Sequence, residues 1–190
     1  MHTRFIRRAA AVTALTLGLW RCGGHDAKTA AASASGSDDG SARLDACALV
    51  PKSEIEAIVG TPVANGTGNF SEHTYSKPVS YTASCMYMGE RSVMLGVTYP
   101  MPRSRTTSEQ LARRITEQLR SQVGSDPSTD ELFRSVEVRP VSGLDGPVAE
   151  YAILDQTTLE LQVGNHMLKI MAPSLRSARA VAEKTISGLE

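Results

Sequence analysis

The sequence predicts an α+β fold, one antiparallel sheet of six or seven strands carrying three helices. Three observations carry this. Segments with apolar residues at every second position are joined by short turns, which suit antiparallel neighbours and leave no room for parallel crossovers. Three other stretches place apolar residues three and four apart behind a capping residue, as amphipathic helices do. Strand 92–99 is apolar on both sides, with Met94 between Val93 and Leu95, so helices are expected on both faces of the sheet.

Residues 1–21 read as a signal peptide. Arg4, Arg7 and Arg8 precede an apolar run from Ala9 to Trp20, long enough for a signal core and short of the roughly 20 apolar residues a spanning helix needs. Residues 22–43, opening on Cys22 and rich in Ala, Ser, Gly and Asp, read as a flexible tether, because they bury too little apolar surface to offset the entropy of ordering. Basic head, apolar core, cysteine and tether together resemble a bacterial lipoprotein precursor. That implies a lipid on Cys22 and a membrane-held product in the cell envelope. Leu19, Trp20 and Arg21 stand where that class carries a small residue before the cysteine.

Residues 44–190 form the single α+β domain. Ser53 and Glu56 make a capping box for a two-turn helix with Ile55, Ile58 and Val59 on its inner side, stopped by Gly60 and Pro62. Residues 64–78 read as a long loop with a short strand around Phe70. Val79 to Met88 alternates, turns at Gly89 to Arg91, and pairs with a strand through Val93, Leu95, Val97 and Tyr99. Thr107 and Gln110 cap a helix running to about Val123, with Leu111, Ile115 and Leu119 inward, before Gly124 and Pro127. Val136 and Val138 mark a strand, as do Val148 to Leu154, the run through Leu159, Leu161 and Val163, and Met167 to Ala172. Gly164 and Asn165 suit a two-residue hairpin turn with glycine first. Ser174 caps a last helix through Leu175, Ala178, Val181, Ala182, Ile186 and Leu189.

With Cys22 assigned to the anchor, Cys47 and Cys85 remain, and in an oxidising compartment a disulfide between them is the expectation; two buried free thiols are the alternative. The whole chain is neutral, with 20 basic and 20 acidic residues, and loses four arginines with the signal, leaving a net charge of −4. That excludes a polycationic nucleic-acid binder. The sequence holds no P-loop, G-x-G-x-x-G, G-x-S-x-G or H-E-x-x-H motif. Neither domain cysteine has a partner at metal-ligand spacing, so no metal or cofactor is expected. His73 beside Glu72 reads as a solvated loop histidine. Arg103, Arg105, Arg113, Arg114 and Arg120 are candidates for contact with anionic headgroups or wall polymers, against a plainer reading as a solvated helix side. Tyr75, Tyr81, Tyr87 and Tyr99 are candidates to line a groove with Met86, Met88 and Met94, although residues at strand spacing are expected in the core.

Two stretches resemble a family of small secreted bacterial lipoproteins with a domain of unknown function. One runs Ala46-Cys47-Ala48-Leu49-Val50 into Ser53-Glu54-Ile55-Glu56 and Gly60, together with Ser84-Cys85-Met86-Tyr87. The other is Val141-Ser142-Gly143-Leu144-Asp145-Gly146 with the Leu159 to Ile170 hairpin. The resemblance implies pairing of the two cysteines, an envelope address and a fold, and no chemistry. The layout also resembles the PsbP-like α/β/α sandwich, an analogy of fold alone. The functional expectation is a noncatalytic envelope domain that binds a protein or a small ligand. The rival is a hydrolase-type enzyme whose site only the fold assembles, and a third reading is an accessory of a larger envelope complex.

Overall fold

The computed structural model describes residues 43–74, 77–102, 105–121 and 127–190. The segments expected to be a signal peptide and, except for residue 43, a tether lie outside them with Cys22, as do Arg103 and Tyr75. The domain has seven strands and five helices among the described residues: α1 Ala46–Leu49, α2 Lys52–Val59, β1 Thr67–His73, β2 Ser80–Tyr87, β3 Val93–Tyr99, α3 Ser108–Ser121, α4 Pro127–Ser135, β4 Arg139–Val141, β5 Val148–Ile153, β6 Gln156–Val163, β7 His166–Ala172 and α5 Leu175–Leu189. All strands join one sheet in the order β1-β2-β3-β7-β6-β5-β4, and every pairing is antiparallel. The fold is mixed α+β, as the alternation and short turns require.

The first face of the sheet carries the larger core. Ala83, Cys85 and Tyr87 of β2, Val93, Leu95 and Val97 of β3, Leu159 and Leu161 of β6, and Leu168, Ile170 and Ala172 of β7 are buried there. Above them sit α1, α5 through Ala178, Val181 and Ala182, and α2 through Ile55 and Val59. On the second face α3 packs mainly over β4 and β5, joining Leu111, Ala112, Ile115 and Leu119 to Ala149 and Tyr151, with Met167 of β7 at the margin of the same cluster. Helices therefore lie on both faces, but cover them unequally.

Local chemistry explains where element bounds depart from expectation. The capping box at Ser53 does not form: the helix starts two residues earlier, at Lys52 behind Pro51, and Glu56 instead accepts from the Val63 N–H and pairs with Lys52. Gly60 closes it in the left-handed region at φ 73°, as expected of a helix C-terminus. The Thr107–Gln110 box does form, each side chain bonding the other's backbone N–H at 3.3 and 2.9 Å. Two helices are additional. Asp45 caps α1 through the Cys47 N–H, and Pro127, expected as a stop, opens α4, where its missing N–H costs nothing. Within 64–78, expected as a long loop with a short strand around Phe70, that strand extends to the seven-residue edge strand β1. The strand expected at Val136 and Val138 is displaced to Arg139–Val141, because those valines pack instead with Phe133 on the α3 cluster. Leu154, expected as a strand end, forms the β5–β6 turn at φ 55°. Gly164 has φ 58° and Asn165 no positive φ, the single-glycine pattern expected of that turn.

Candidate functional site

Cys47 and Cys85 form a disulfide with Cα atoms 5.1 Å apart, tying α1 to β2 beneath the edge strand. Glycines make room for it: a Cβ on Gly66 would stand 2.6 Å from the Cys85 sulfur, and one on Gly68 3.5 Å from that of Cys47. Tyr87 seals its inner side, donating to the Val50 carbonyl at 2.6 Å and the Cys47 carbonyl at 3.2 Å. Burial, with the nearby Asp45 charge, raises the pKa of its phenol. Such bonds form and persist in oxidising, extracytoplasmic compartments. No described helix is long and apolar enough to cross a membrane.

The arginine group is not brought together into a site. Arg105, Arg113, Arg114 and Arg120 are exposed and, with Glu117, lie on the solvent side of α3 or just before it. Glu109 in the same turn has its pKa lowered by the Thr107 side-chain hydrogen bond, its own backbone N–H and the Arg113 charge.

The groove combining tyrosines and methionines is split by the pleat. In β2 and β3 the tyrosines occupy odd positions and the methionines even ones, so they point to opposite faces. Tyr87 is buried in the larger core. Tyr81 and Tyr99 join Phe70 and His166 in a row of rings across β1, β2, β3 and β7, with centroids 5.7, 5.8 and 6.0 Å apart. The methionines are not core: Met86 is 42% exposed and Met88 54%.

Those methionines mark the part of the second face that no described helix covers. The registers of β1–β2, β2–β3, β3–β7 and β7–β6 align three cross-strand rows there. At one end Thr82 bonds His73 at 2.9 Å and Thr98 at 2.8 Å, a polar row. The middle row is Ser84, Gly96, Lys169 and Glu160. The third row is Met86, Met94 and Met171, directly opposed on three adjacent strands, and none of the three belongs to either apolar cluster.

Gly96 is the unexpected residue. It sits in the middle of β3, a strand paired on both sides, where glycine weakens a sheet by leaving backbone unrestrained and nothing to pack. Its φ is not in the left-handed region, and a Cβ there would meet only the Lys169 carbonyl, at 3.6 Å. Neither conformation nor crowding demands a glycine. Its effect is a gap in the open face between Ser84, Lys169 and the methionine row. Lys169 leans away from that gap, its ammonium 3.2 Å from Glu160 and 5.9 Å from the Tyr151 ring centroid. Tyr151 in turn donates to Glu160 at 2.9 Å, and burial, then the Glu160 charge, raises its pKa. Burial pulls the Lys169 pKa down, but the charge of Glu160 and the contact with Tyr151 outweigh it and raise the ammonium's pKa. The charge beside the gap is thus a neutralised pair.

A second concavity of about 350 Å³ lies at the β5 edge beyond the short β4, lined by Glu137, Arg139, Glu150 and Leu175 among others. It brings two carboxylates, Glu137 and Glu150, to one cleft, which their separation in sequence does not suggest. The Arg139 hydrogen bond at 2.6 Å, with its charge, lowers the Glu137 pKa, so Glu137 is a poor proton donor near neutral pH. Among the described residues no group of three His, Cys, Asp or Glu is placed to hold a metal ion. No protein-family model matches the chain, and no curated protein matches it.

Proposed function

We propose that the chain is an exported protein of the small secreted bacterial lipoprotein kind, held in the cell envelope by a lipid on Cys22, and that its domain is a noncatalytic binding module. Its ligand surface is the open face of β2, β3 and β7, and the ligand is a small molecule or partner segment with an apolar or soft face. The observation that carries the binding reading is Gly96, a glycine in a central strand that leaves a gap beside the exposed Met86 and the half-buried Met94 and Met171. Interior strand glycines mark places where a ligand or another backbone comes close. The Cys47–Cys85 disulfide supports the extracytoplasmic address.

Gly96→Val tests the surface. Valine fits the strand and should raise stability by about 1 kcal/mol while filling the gap. In the full-length protein the apolar dye anilinonaphthalene sulfonate should gain fluorescence on the folded wild type and lose that gain in Gly96→Val. A dye response unchanged by valine, or absent from the wild type, overturns the placement. Fatty-acid labelling tests the anchor: wild type should carry label in the membrane fraction and Cys22→Ala should not. An unlabelled, freely soluble wild type overturns that half.

A further inference from the structure

Resting on that reading of the open face, we infer that Met86, Met94 and Met171 form a three-thioether site for a soft monovalent cation, Cu(I) in the cell. The three residues are direct cross-strand partners on β2, β3 and β7. Adjacent strands lie about 4.8 Å apart, so the outer two backbones are roughly 10 Å apart, with the Met94 backbone midway. Methionine has an unbranched chain with three rotatable bonds, so Met86 and Met171 can lean over Met94 and converge on one ion. Ser84 and Gly96 in the next row supply the space for that movement. The three side chains are free to do so, because neither apolar cluster uses them.

The donor set decides the ion. Thioether sulfur is a soft, uncharged ligand that selects Cu(I) and gives little to Mg(II), Ca(II) or Zn(II), which take oxygen, imidazole or thiolate. Both described cysteines are consumed in the disulfide, so methionines are the soft donors left in the described domain. The neighbouring Lys169 does not repel an arriving cation as a bare charge would, because its ammonium is paired with Glu160. An uncharged ligand set on an exposed sheet face suits a site that passes the ion on rather than storing it deeply.

Ag(I) serves as the redox-inert probe. The full-length protein carrying Cys22→Ala, which removes the competing thiol, with methionine methyls labelled with ¹³C, is titrated with silver nitrate in chloride-free buffer. The S-methyl signals of Met86, Met94 and Met171 should move together and saturate at one equivalent, while those of Met101 and Met167 stay in place. Zn(II) should leave all of them unmoved. Met94→Leu keeps volume and apolarity but removes the sulfur, and should weaken Ag(I) binding at least about tenfold; Met171→Leu should do the same. Unmoved signals for the three methionines, or wild-type Ag(I) affinity in both leucine variants, overturn the metal inference. Dye binding in Met94→Leu separates the two readings. If the dye still binds and Ag(I) does not bind even the wild type, only the metal inference falls; if the dye fails on wild type as well, the surface falls with it.

Discussion

Removing the Cys47–Cys85 bridge should cost the domain a large share of its stability. The bridged residues are 38 apart in sequence, and closing a loop of that size in the unfolded chain is worth about 4 kcal/mol in the chain-entropy account. Domains of this kind are stable by about 5–15 kcal/mol in total, so the loss is a quarter or more. At roughly 2–4 °C per kcal/mol for this size, Tm should fall by about 8–16 °C. The assay is urea unfolding of the oxidised protein, the same protein in reductant, and Cys47→Ala/Cys85→Ala. The reduced protein isolates loop entropy, whereas the alanine variant adds the cavity left beside Tyr87 and Gly66. A drop below about 1 kcal/mol in the reduced protein refutes the reasoning. It would mean that α1 and β2 stay together in the unfolded chain without the bond.

Three other outcomes follow from the same packing. Gly66→Ala should destabilise by about 1–3 kcal/mol, because the new Cβ would stand 2.6 Å from the Cys85 sulfur and 2.8 Å from the Tyr87 ring; chemical denaturation of the oxidised variant reads it. Leu154→Asn should stabilise by about 1 kcal/mol, since Leu154 holds φ 55° while 80% exposed and so loses little burial; a calorimetric Tm that fails to rise contradicts it. His166 has its pKa lowered from 6.5, chiefly by burial and against a Val163 backbone hydrogen bond. Neutral imidazole is therefore favoured in the folded state, and its contribution is complete above pH 6.5 and lost as pH falls through the lowered value. Stability measured from pH 7.5 down to 5 should decline more steeply in wild type than in His166→Gln.

Fold class, five of the seven strands and the disulfide pair were legible because each rests on a strong local signal. Alternation with β-branched residues marks β2, β3, β5, β6 and β7, and only two cysteines remain once Cys22 is set aside. The edge strand β1 was legible only as a short strand around Phe70, not over its full length. Its sequence Thr-Gly-Asn-Phe-Ser-Glu-His carries one large apolar residue, and its seven residues are mostly exposed, so pairing with β2 creates it rather than its own pattern. The shift from Val136 and Val138 to Arg139–Val141 has the same origin: those valines find apolar neighbours on α3, and tertiary packing overrides strand propensity. Even the methionine surface was partly readable. Period two alone separates Met86 and Met94 from Tyr81, Tyr87 and Tyr99. What sequence could not supply was the third member, Met171, which arrives because β7 inserts beside β3 across about 75 residues of chain.

The unequal covering of the two faces also bears on why β3 tolerates its sequence. Its odd residues Val93, Leu95 and Val97 are buried against helices, so the first face alone can hold the strand in register. Its even residues Met94, Gly96 and Thr98 are relieved of that task. Had α3 and α4 covered the whole second face, a glycine at position 96 would have left a cavity costing stability with no return. Because α3 lies mainly over β4 and β5, the same glycine costs only its strand propensity and leaves a recess in the face. An uncovered sheet face would ordinarily invite self-association, but the Thr82–Thr98 pair and the Glu160–Lys169 pair keep polar groups on both sides of the recess. That leaves the apolar side of the recess to one row of flexible thioethers, the residues best suited to change partners.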